Sequence, residues 1–205
     1  MPELIRESSH ENQISIIYLR NERVYRKISR ADSGRLLLKN EGEGIKWYGD
    51  KNGDDEFLLT CTSWDTKTFT RLDVNSISGV QVMYINSIIY TFPFLESCLE
   101  HYCSLWPNED VVPCHGDLTL DNVVFTEQWK PVFFDWEHFY EGGECWGFDM
   151  AYLILSAVVL PKPGFTKFKP KEADLFLNLW DKLCKKGLHS DLAVNPVSYF
   201  QNNFQ

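Results

Sequence analysis

The pattern of apolar and polar residues changes its character near residues 75–79. Before this point it is mainly the pattern of strands. Ile14–Leu19 is rich in β-branched side chains, residues 24–28 alternate apolar and basic ones, and the polar turn between them predicts a hairpin. Residues 57–61 and 68–74 predict two further strands. The first third of the chain is therefore expected to form a small sheet with one helix.

That helix is predicted over residues 33–48, with Ser33 as its cap. Four residues fall on one face of it, at spacings of i, i+4, i+8 and i+11: Leu37, Glu41, Ile45 and Tyr48. Gly42 and Gly44 weaken the helix by roughly 1 kcal/mol each relative to alanine. The glycine- and asparagine-containing residues 49–53 mark its expected end.

After residue 79 the pattern is mainly helical. Three helices are predicted, at residues 80–105 with an interruption near Pro93, at 149–160 before two prolines, and at 172–185. Two short β runs at residues 123–125 and 132–134 flank a polar turn. The last residues are polar and expected to be loosely ordered. Strands first and helices later predict an α+β fold.

Composition narrows the possible functions. The chain has 205 residues with a formal net charge of -9, and an acidic surface repels a phosphate backbone, so nucleic acid is not an expected partner. The six cysteines lack paired C-x-x-C spacing, which favours free thiols in a cytoplasmic protein over a zinc site. The N-terminal residues show no signal peptide, and the longest apolar stretch, 150–160, falls short of the ~20 residues that span a bilayer.

The strongest chemical signal begins at His115 and reads HGDLTLDN, followed by the β runs and then FDWE. Phosphoryl transfer needs a carboxylate at the acceptor hydroxyl, and Asp117 fits this role. It also needs oxygen ligands for a metal that bridges the phosphates, and Asn122 and Asp135 fit that role. We expect the hairpin between them to bring these two residues to one metal.

The neighbouring residues have open interpretations. His115 is expected to support the loop, and Asp121 to cap or solvate it. Glu137 is either a further group near the metal or a surface charge.

The segments HGDLTLDN, FFDWEH and GFDMAYL resemble the catalytic core of the aminoglycoside phosphotransferase and choline kinase superfamily. The resemblance is dense over residues 114–153 and thin elsewhere. It implies a protein-kinase-like two-lobed fold, with a small β-rich N-lobe at residues 1–76 and a mainly helical C-lobe at 77–205. It also implies that Asp117 is the base, that Asn122 and Asp135 hold Mg²⁺, and that Asp149 supports the catalytic loop.

The same template needs a strand lysine on the nucleotide phosphates and a helix glutamate paired with it. Lys27 lies in the second strand of the predicted hairpin, and Glu41 lies on the apolar face of the predicted helix. Glu43 is the alternative glutamate but lies off that face. A solvated strand lysine is the alternative interpretation of Lys27. The resemblance further implies that ATP places its adenine on backbone atoms around Asp73, Val74 and Asn75.

Two features depart from this family. Residues 8–13, where a glycine-rich phosphate loop is expected, contain no glycine, and only 35 residues lie between Gly79 and His115, where the family usually has a larger helical section. The first function predicted is an ATP- and Mg²⁺-dependent phosphotransferase acting on a hydroxyl of a small molecule or sugar, with a glycan as a possible larger acceptor. The alternative is a catalytically degenerate kinase-like module that binds a nucleotide or partner. A protein kinase is disfavoured because no A-P-E segment follows Asp135.

Overall fold

A computed structural model of the chain describes residues 3–7, 13–53, 59–82, 88–159 and 170–203. The fold is α+β, with a β-rich N-terminal region and most helices later in the chain. The chain forms two compact units. The first comprises Met1–Gly79 and Phe134–Tyr140, and the second comprises Val80–Phe133 and Glu141–Gln205. The short segment Phe134–Tyr140 therefore belongs to the unit that begins the chain.

The first unit contains an antiparallel sheet of five strands in the order β1-β2-β3-β5-β4. The strands are β1 (Glu3–Glu7), β2 (Ile14–Leu19), β3 (Val24–Ser29), β4 (Cys61–Asp65) and β5 (Thr70–Asn75). The predicted hairpin is confirmed as β2 and β3, with Ile14 opposite Ser29. The charged strand β1 was not predicted.

The other two predicted strands are present but lie at different residues than expected. The strand expected at residues 57–61 begins only at Cys61, and residues 57 and 58 lie outside the described part of the chain. Strand β4 lies at the sheet edge and is mostly exposed, so it carries almost none of the apolar alternation on which the prediction relied. The strand expected at 68–74 runs instead over Thr70–Asn75.

Helix α1 (Asp32–Asn52) packs against β3, β4 and β5. It begins after Ala31 with no side-chain cap, so Ser33 lies inside the helix and its predicted capping role is wrong. Leu38, and not Leu37, is the buried leucine of the apolar face. The helix also continues past Gly49 to Asn52, because packing against the sheet overrides the low intrinsic propensity of its glycines.

The second unit is built around α2 (Ile88–Leu105), which packs against α3 (Phe148–Val159) and α4 (Pro170–Lys185). Pro93 lies within α2, so the predicted interruption is wrong, and the predicted helical start at residue 80 is a strand. The C-terminal residues form α5 (Ser190–Val194) and α6 (Pro196–Asn203) rather than a loose tail. Buried Leu192 and the ring contacts of Phe148 with Phe200 hold them in place.

Five short strands complete the structure: β6 (Val80–Gln81), β7 (Val112–Cys114), β8 (Val123–Phe125), β9 (Pro131–Phe133) and β10 (Tyr140–Glu144). Strands β6, β8 and β9 form one small sheet, and β7 pairs with β10. The β run predicted at residues 123–125 is confirmed as β8. The run predicted at residues 132–134 is β9, which begins and ends one residue earlier. In the part of the chain that the structure describes, no helix is long and apolar enough to cross a bilayer.

Candidate functional site

The first unit places three charged side chains in direct contact. Lys27 Nζ donates to both carboxylate oxygens of Glu41, at 2.7 and 2.8 Å, and to Oδ1 of Asp135 at 2.7 Å. The Lys27 side chain is 11% exposed, and that of Glu41 is buried. One ammonium group therefore pairs with two carboxylates, one from a helix and one from a distant loop.

Strand register explains why Lys27 faces this cluster. Lys27 lies opposite Leu72 of β5, and Leu72 is fully buried on the face of the sheet that α1 covers. Because neighbouring residues of a strand point to opposite faces, Arg26 points away from α1 and pairs with Asp73 instead. The predicted pairing of Lys27 with Glu41 is thus present, and Glu43 is exposed on α1.

Burial and charge act against each other in this cluster. Burial alone would lower the pKa of Lys27, but the carboxylates of Glu41 and Asp135 outweigh it and raise that pKa above its ordinary value. Burial raises the pKa of Glu41 to about 7, although the Lys27 ammonium opposes this rise. Lys27 is therefore a permanent cation, and the charge of Glu41 depends on it.

Asp135 is held in an uncommon backbone conformation, with a φ of 64°. Residues other than glycine seldom adopt this left-handed backbone region, and those that do are concentrated at functional sites. Its side chain is 35% exposed, in contrast to the buried Trp136 that follows it. The carboxylate thus contacts Lys27 while still facing solvent.

The second unit holds the His115–Asn122 loop by its backbone. Asp149, in the first turn of α3, accepts the backbone N–H of His115 at 2.8 Å and that of Gly116 at 3.0 Å. Asp149 and His115 are both fully buried. Burial raises the pKa of Asp149 to about 7, and the two N–H bonds oppose that rise. This is the loop-supporting contact that the family resemblance implied for Asp149.

Within the same loop, Asn122 fixes Asp117. Asn122 Nδ2 donates to the backbone oxygen of Asp117 at 2.7 Å and lies 3.4 Å from Asp117 Oδ2. Because the amide nitrogen is used as a donor, the amide oxygen of Asn122 is the atom suited to ligate a cation. Asp117 itself is partly exposed.

The β8–β9 hairpin begins directly after Asn122 and ends two residues before Asp135. Its register places Val123 opposite Phe133, so the chain enters and leaves this hairpin at the same end. A short antiparallel pair of this kind links the two halves of the motif with few intervening residues.

The remaining predicted residues are placed as follows. Asp73 and Val74 lie inside β5 with strands on both sides, and Asn75 N–H donates to the backbone oxygen of Thr60. The adenine contact expected there stays a prediction. Asp121 is exposed. Oε1 of Glu137 lies 3.6 Å from Nε2 of the neighbouring His138. Residues 8–12 of the predicted phosphate loop lie outside the described residues.

Asp135 of the first unit and Asn122 of the second each offer an oxygen atom of the type that binds magnesium. Among the described residues there is no group of three or more His, Cys, Asp or Glu side chains that could hold a metal by itself. Mg²⁺ is usually bound by one or two carboxylates together with substrate phosphates, and not by an all-protein cage. A carboxylate such as Asp135 and an amide oxygen such as Asn122 are therefore each compatible with Mg²⁺ without an all-protein cage.

Sequence reasoning missed two features of the site. The contact of Lys27 with Asp135 joins residues 108 positions apart, and no local pattern indicates it. Gly44, which was interpreted only as a weak helix residue, packs against Trp136 and Phe139. Comparison of the chain with protein-family models gave no match, and neither did comparison with curated proteins.

Proposed function

We propose that this chain is an ATP- and Mg²⁺-dependent phosphotransferase with a protein-kinase-like fold, acting on a hydroxyl of a small molecule or sugar. The observation that carries the proposal is the simultaneous ion pairing of Lys27 with Glu41 and Asp135. Local sequence patterns indicate each of these residues: a strand lysine and a helix glutamate expected as a pair, and an aspartate after the hairpin. Their convergence on one ammonium group supports a common function.

The roles follow from the chemistry of each group. Lys27 is a permanent cation and would bind nucleotide phosphate oxygens, while buried Glu41 fixes its direction. Asp135 and the amide oxygen of Asn122 would hold Mg²⁺, which when bound neutralises charge on the phosphates. Asp117 would orient the acceptor hydroxyl and accept its proton as the oxygen attacks the terminal phosphate.

The backbone clamp from Asp149 serves the same reaction. A catalytic carboxylate is effective only when its loop is held in place, and Asp149 fixes the backbone immediately before Asp117 through two buried hydrogen bonds. The side-chain amide of Asn122 donates a hydrogen bond to the backbone oxygen of Asp117 and so fixes the other side of this residue. The base would thus meet the acceptor without a large reorganisation of the loop.

Calorimetry tests the nucleotide and metal assignments. ATP with Mg²⁺ should bind the wild-type chain, and Asp135→Ala should abolish the dependence of binding on Mg²⁺. Asp121→Ala is the matched control, because it removes an exposed carboxylate of the same motif that has no proposed part in binding nucleotide or metal. Nucleotide binding whose Mg²⁺ dependence survives Asp135→Ala contradicts the metal assignment.

Transfer itself is tested with ATP carrying a labelled terminal phosphate and a panel of sugars, amino alcohols and glycans, with and without Mg²⁺. The second candidate is a module that binds nucleotide without turnover, and the glycine-free residues 8–13 favour it. Both functions predict binding of Mg²⁺ and ATP, but only the enzyme transfers the label to an acceptor. Binding without transfer to any member of the panel would favour the module.

A further inference from the structure

Helix α1 packs tightly against the segment Phe134–Tyr140 at Gly44. A Cβ atom at this position would lie 2.8 Å from the Cβ of Trp136 and 2.8 Å from the Cβ of Phe139. Carbon atoms in contact are normally about 3.5–4.0 Å apart. Because both neighbouring atoms are attached to the backbone, no side-chain rotation can relieve such a contact. Only glycine lets the helix and this segment lie so close together.

Aromatic rings surround this point of contact. The ring centroids of Tyr48 and Trp136 lie 5.1 Å apart, and Trp47 lies 6.0 Å from Trp136 and 6.1 Å from Phe139. Trp136 and Phe139 are both buried. These distances are in the range at which aromatic pairs attract each other beyond their burial. Ring contacts between Trp47 and Tyr48 of the helix and Trp136 and Phe139 of the segment therefore hold the two elements together.

The same two elements carry two of the charged residues of the candidate site. Glu41 precedes Gly44 by about one helical turn and lies on the same buried face of α1. Asp135 directly precedes Trp136 and has the left-handed backbone conformation. The separation of α1 from this segment consequently decides whether Glu41 and Asp135 can both reach Lys27.

We propose that Gly44 is a positioning residue for Asp135. Its missing side chain lets α1 and Phe134–Tyr140 approach closely enough for one lysine to bridge Glu41 and Asp135. This inference rests on the proposed function for the metal-binding role of Asp135. The steric argument for the place of the segment does not depend on any ligand.

Gly42 provides a matched control on the same helix. A Cβ at Gly42 would meet only the flexible end of Leu72, at 3.4 Å, which is ordinary contact. Gly42→Ala and Gly44→Ala gain the same helix propensity, about 1 kcal/mol. They differ only in what the added methyl group meets.

The first measurement is the affinity for Mn²⁺ in the presence of saturating adenylyl imidodiphosphate. Electron paramagnetic resonance measures the free and bound Mn²⁺. We expect Gly44→Ala to weaken Mn²⁺ binding at least tenfold, while Gly42→Ala changes it less than twofold. Nucleotide affinity without metal should be similar in both variants, because Lys27 and Glu41 remain paired. Equal Mn²⁺ affinity in the two variants would overturn the inference.

Phe139→Leu is a milder second variant, needed if Gly44→Ala does not fold. It keeps the Cβ atom that faces Gly44 but removes the ring that packs on Trp47. We expect Mn²⁺ affinity to fall about threefold with nucleotide affinity unchanged. Unchanged Mn²⁺ affinity in this variant also counts against the positioning role.

Hydrogen exchange separates this inference from the proposed function. In Gly44→Ala the backbone amides of residues 134–140 should exchange at least tenfold faster than in Gly42→Ala, and those of β3 and β5 should not. If wild-type protein binds no Mn²⁺ and no nucleotide, the proposed function fails, and the exchange rates alone decide whether Gly44 fixes the segment. Equal exchange of residues 134–140 in the two variants would refute that fixing role.

Discussion

The two regions that carry candidate site residues are stabilised in different ways. In the first unit, Lys27, Glu41 and Asp135 are joined through side-chain charges from three segments, the most distant 108 residues apart. In the second unit, Asp117 and Asn122 lie in one contiguous motif. That motif is held by hydrogen bonds in which its backbone takes part.

This difference predicts how each region fails. A cluster of buried charges depends on the balance among its members, so removing one charge exposes the others to the full cost of burial. A loop held through its backbone depends on the acceptors around it, and its exposed side chains can change without loss of structure. The first region should therefore be sensitive to the loss of any one charge, and the second to the loss of its buried acceptor.

The largest effect is expected at Asp117. Asp117→Asn keeps the shape of the side chain but removes the base, so phosphate transfer should fall by about 10²- to 10⁴-fold. Nucleotide affinity should be nearly unchanged, because Asp117 would contact the acceptor and not the nucleotide. Single-turnover transfer and calorimetry on the same preparation measure the two quantities. Near wild-type transfer would contradict the role of Asp117.

Sequence alone could identify most of these residues, for a physical reason. The loop motif is contiguous, so Asp117 and Asn122 are visible as a spacing. The pairing of Lys27 with Glu41 follows from strand and helix periodicity. The contact of Lys27 with Asp135 and the packing of Gly44 depend on how distant segments meet. No local pattern encodes those contacts.

The same limit explains the errors in the fold. The pattern overstated the role of Pro93, which α2 accommodates within its length. It missed β10, whose two glycines hide the strand pattern. In each case the element meets distant segments, since α2 packs against α3 and α4 and β10 pairs with β7.

The second largest effect is expected at Lys27. Lys27→Met leaves Glu41 buried without its cation, and breaking a buried pair in this way costs about 3–5 kcal/mol of unfolding free energy. Burial already raises the pKa of Glu41 to about 7, so the folded state favours the protonated form. Stability from this group is complete below the unfolded pKa near 4.5 and is lost as the pH rises through 7.

The destabilisation by Lys27→Met should therefore be smaller at pH 5 than at pH 8, as measured by urea unfolding. The double variant Lys27→Met, Glu41→Gln should recover part of the unfolding free energy that Lys27→Met loses at pH 8. Arg26→Met is the control, since Arg26 lies on the opposite face of the sheet and is partly exposed. A penalty that is the same at both pH values would argue against a buried, cation-dependent glutamate.

A smaller loss is expected at Asp149. Asp149→Asn keeps the side-chain shape, but its amide nitrogen cannot accept one of the two backbone N–H groups that the carboxylate now accepts. Leaving one buried donor without an acceptor costs about 1–3 kcal/mol. Urea unfolding measures this loss, with Asp121→Asn as the exposed control in the same loop. Equal stability of the two variants would show that the loop does not depend on this acceptor.

The smallest effect is expected on the open face of the sheet, at Asp73. Its carboxylate accepts hydrogen bonds from Arg26 at 2.9 and 2.7 Å and also from Arg71. Burial pushes the pKa of Asp73 upward, but the two arginines outweigh it and lower that pKa to about 2. Stability from this group is therefore present above pH 3.8 and is lost as the pH falls through 2. Because all three side chains are partly exposed, Asp73→Asn should cost only about 1 kcal/mol at pH 7.

Urea unfolding can distinguish this pair from the buried one. The penalty of Asp73→Asn should keep most of its value at pH 4, whereas the penalty of Lys27→Met shrinks as the pH falls toward 5. The penalty of Asp73→Asn should also decrease in 1 M salt, where the Debye length is about 3 Å, since solvent reaches the arginines. Glu43→Gln, an exposed carboxylate on α1, should show neither dependence. A salt-independent penalty above about 2 kcal/mol at Asp73 would mean that this face of the sheet is screened from solvent as strongly as the face that holds Lys27.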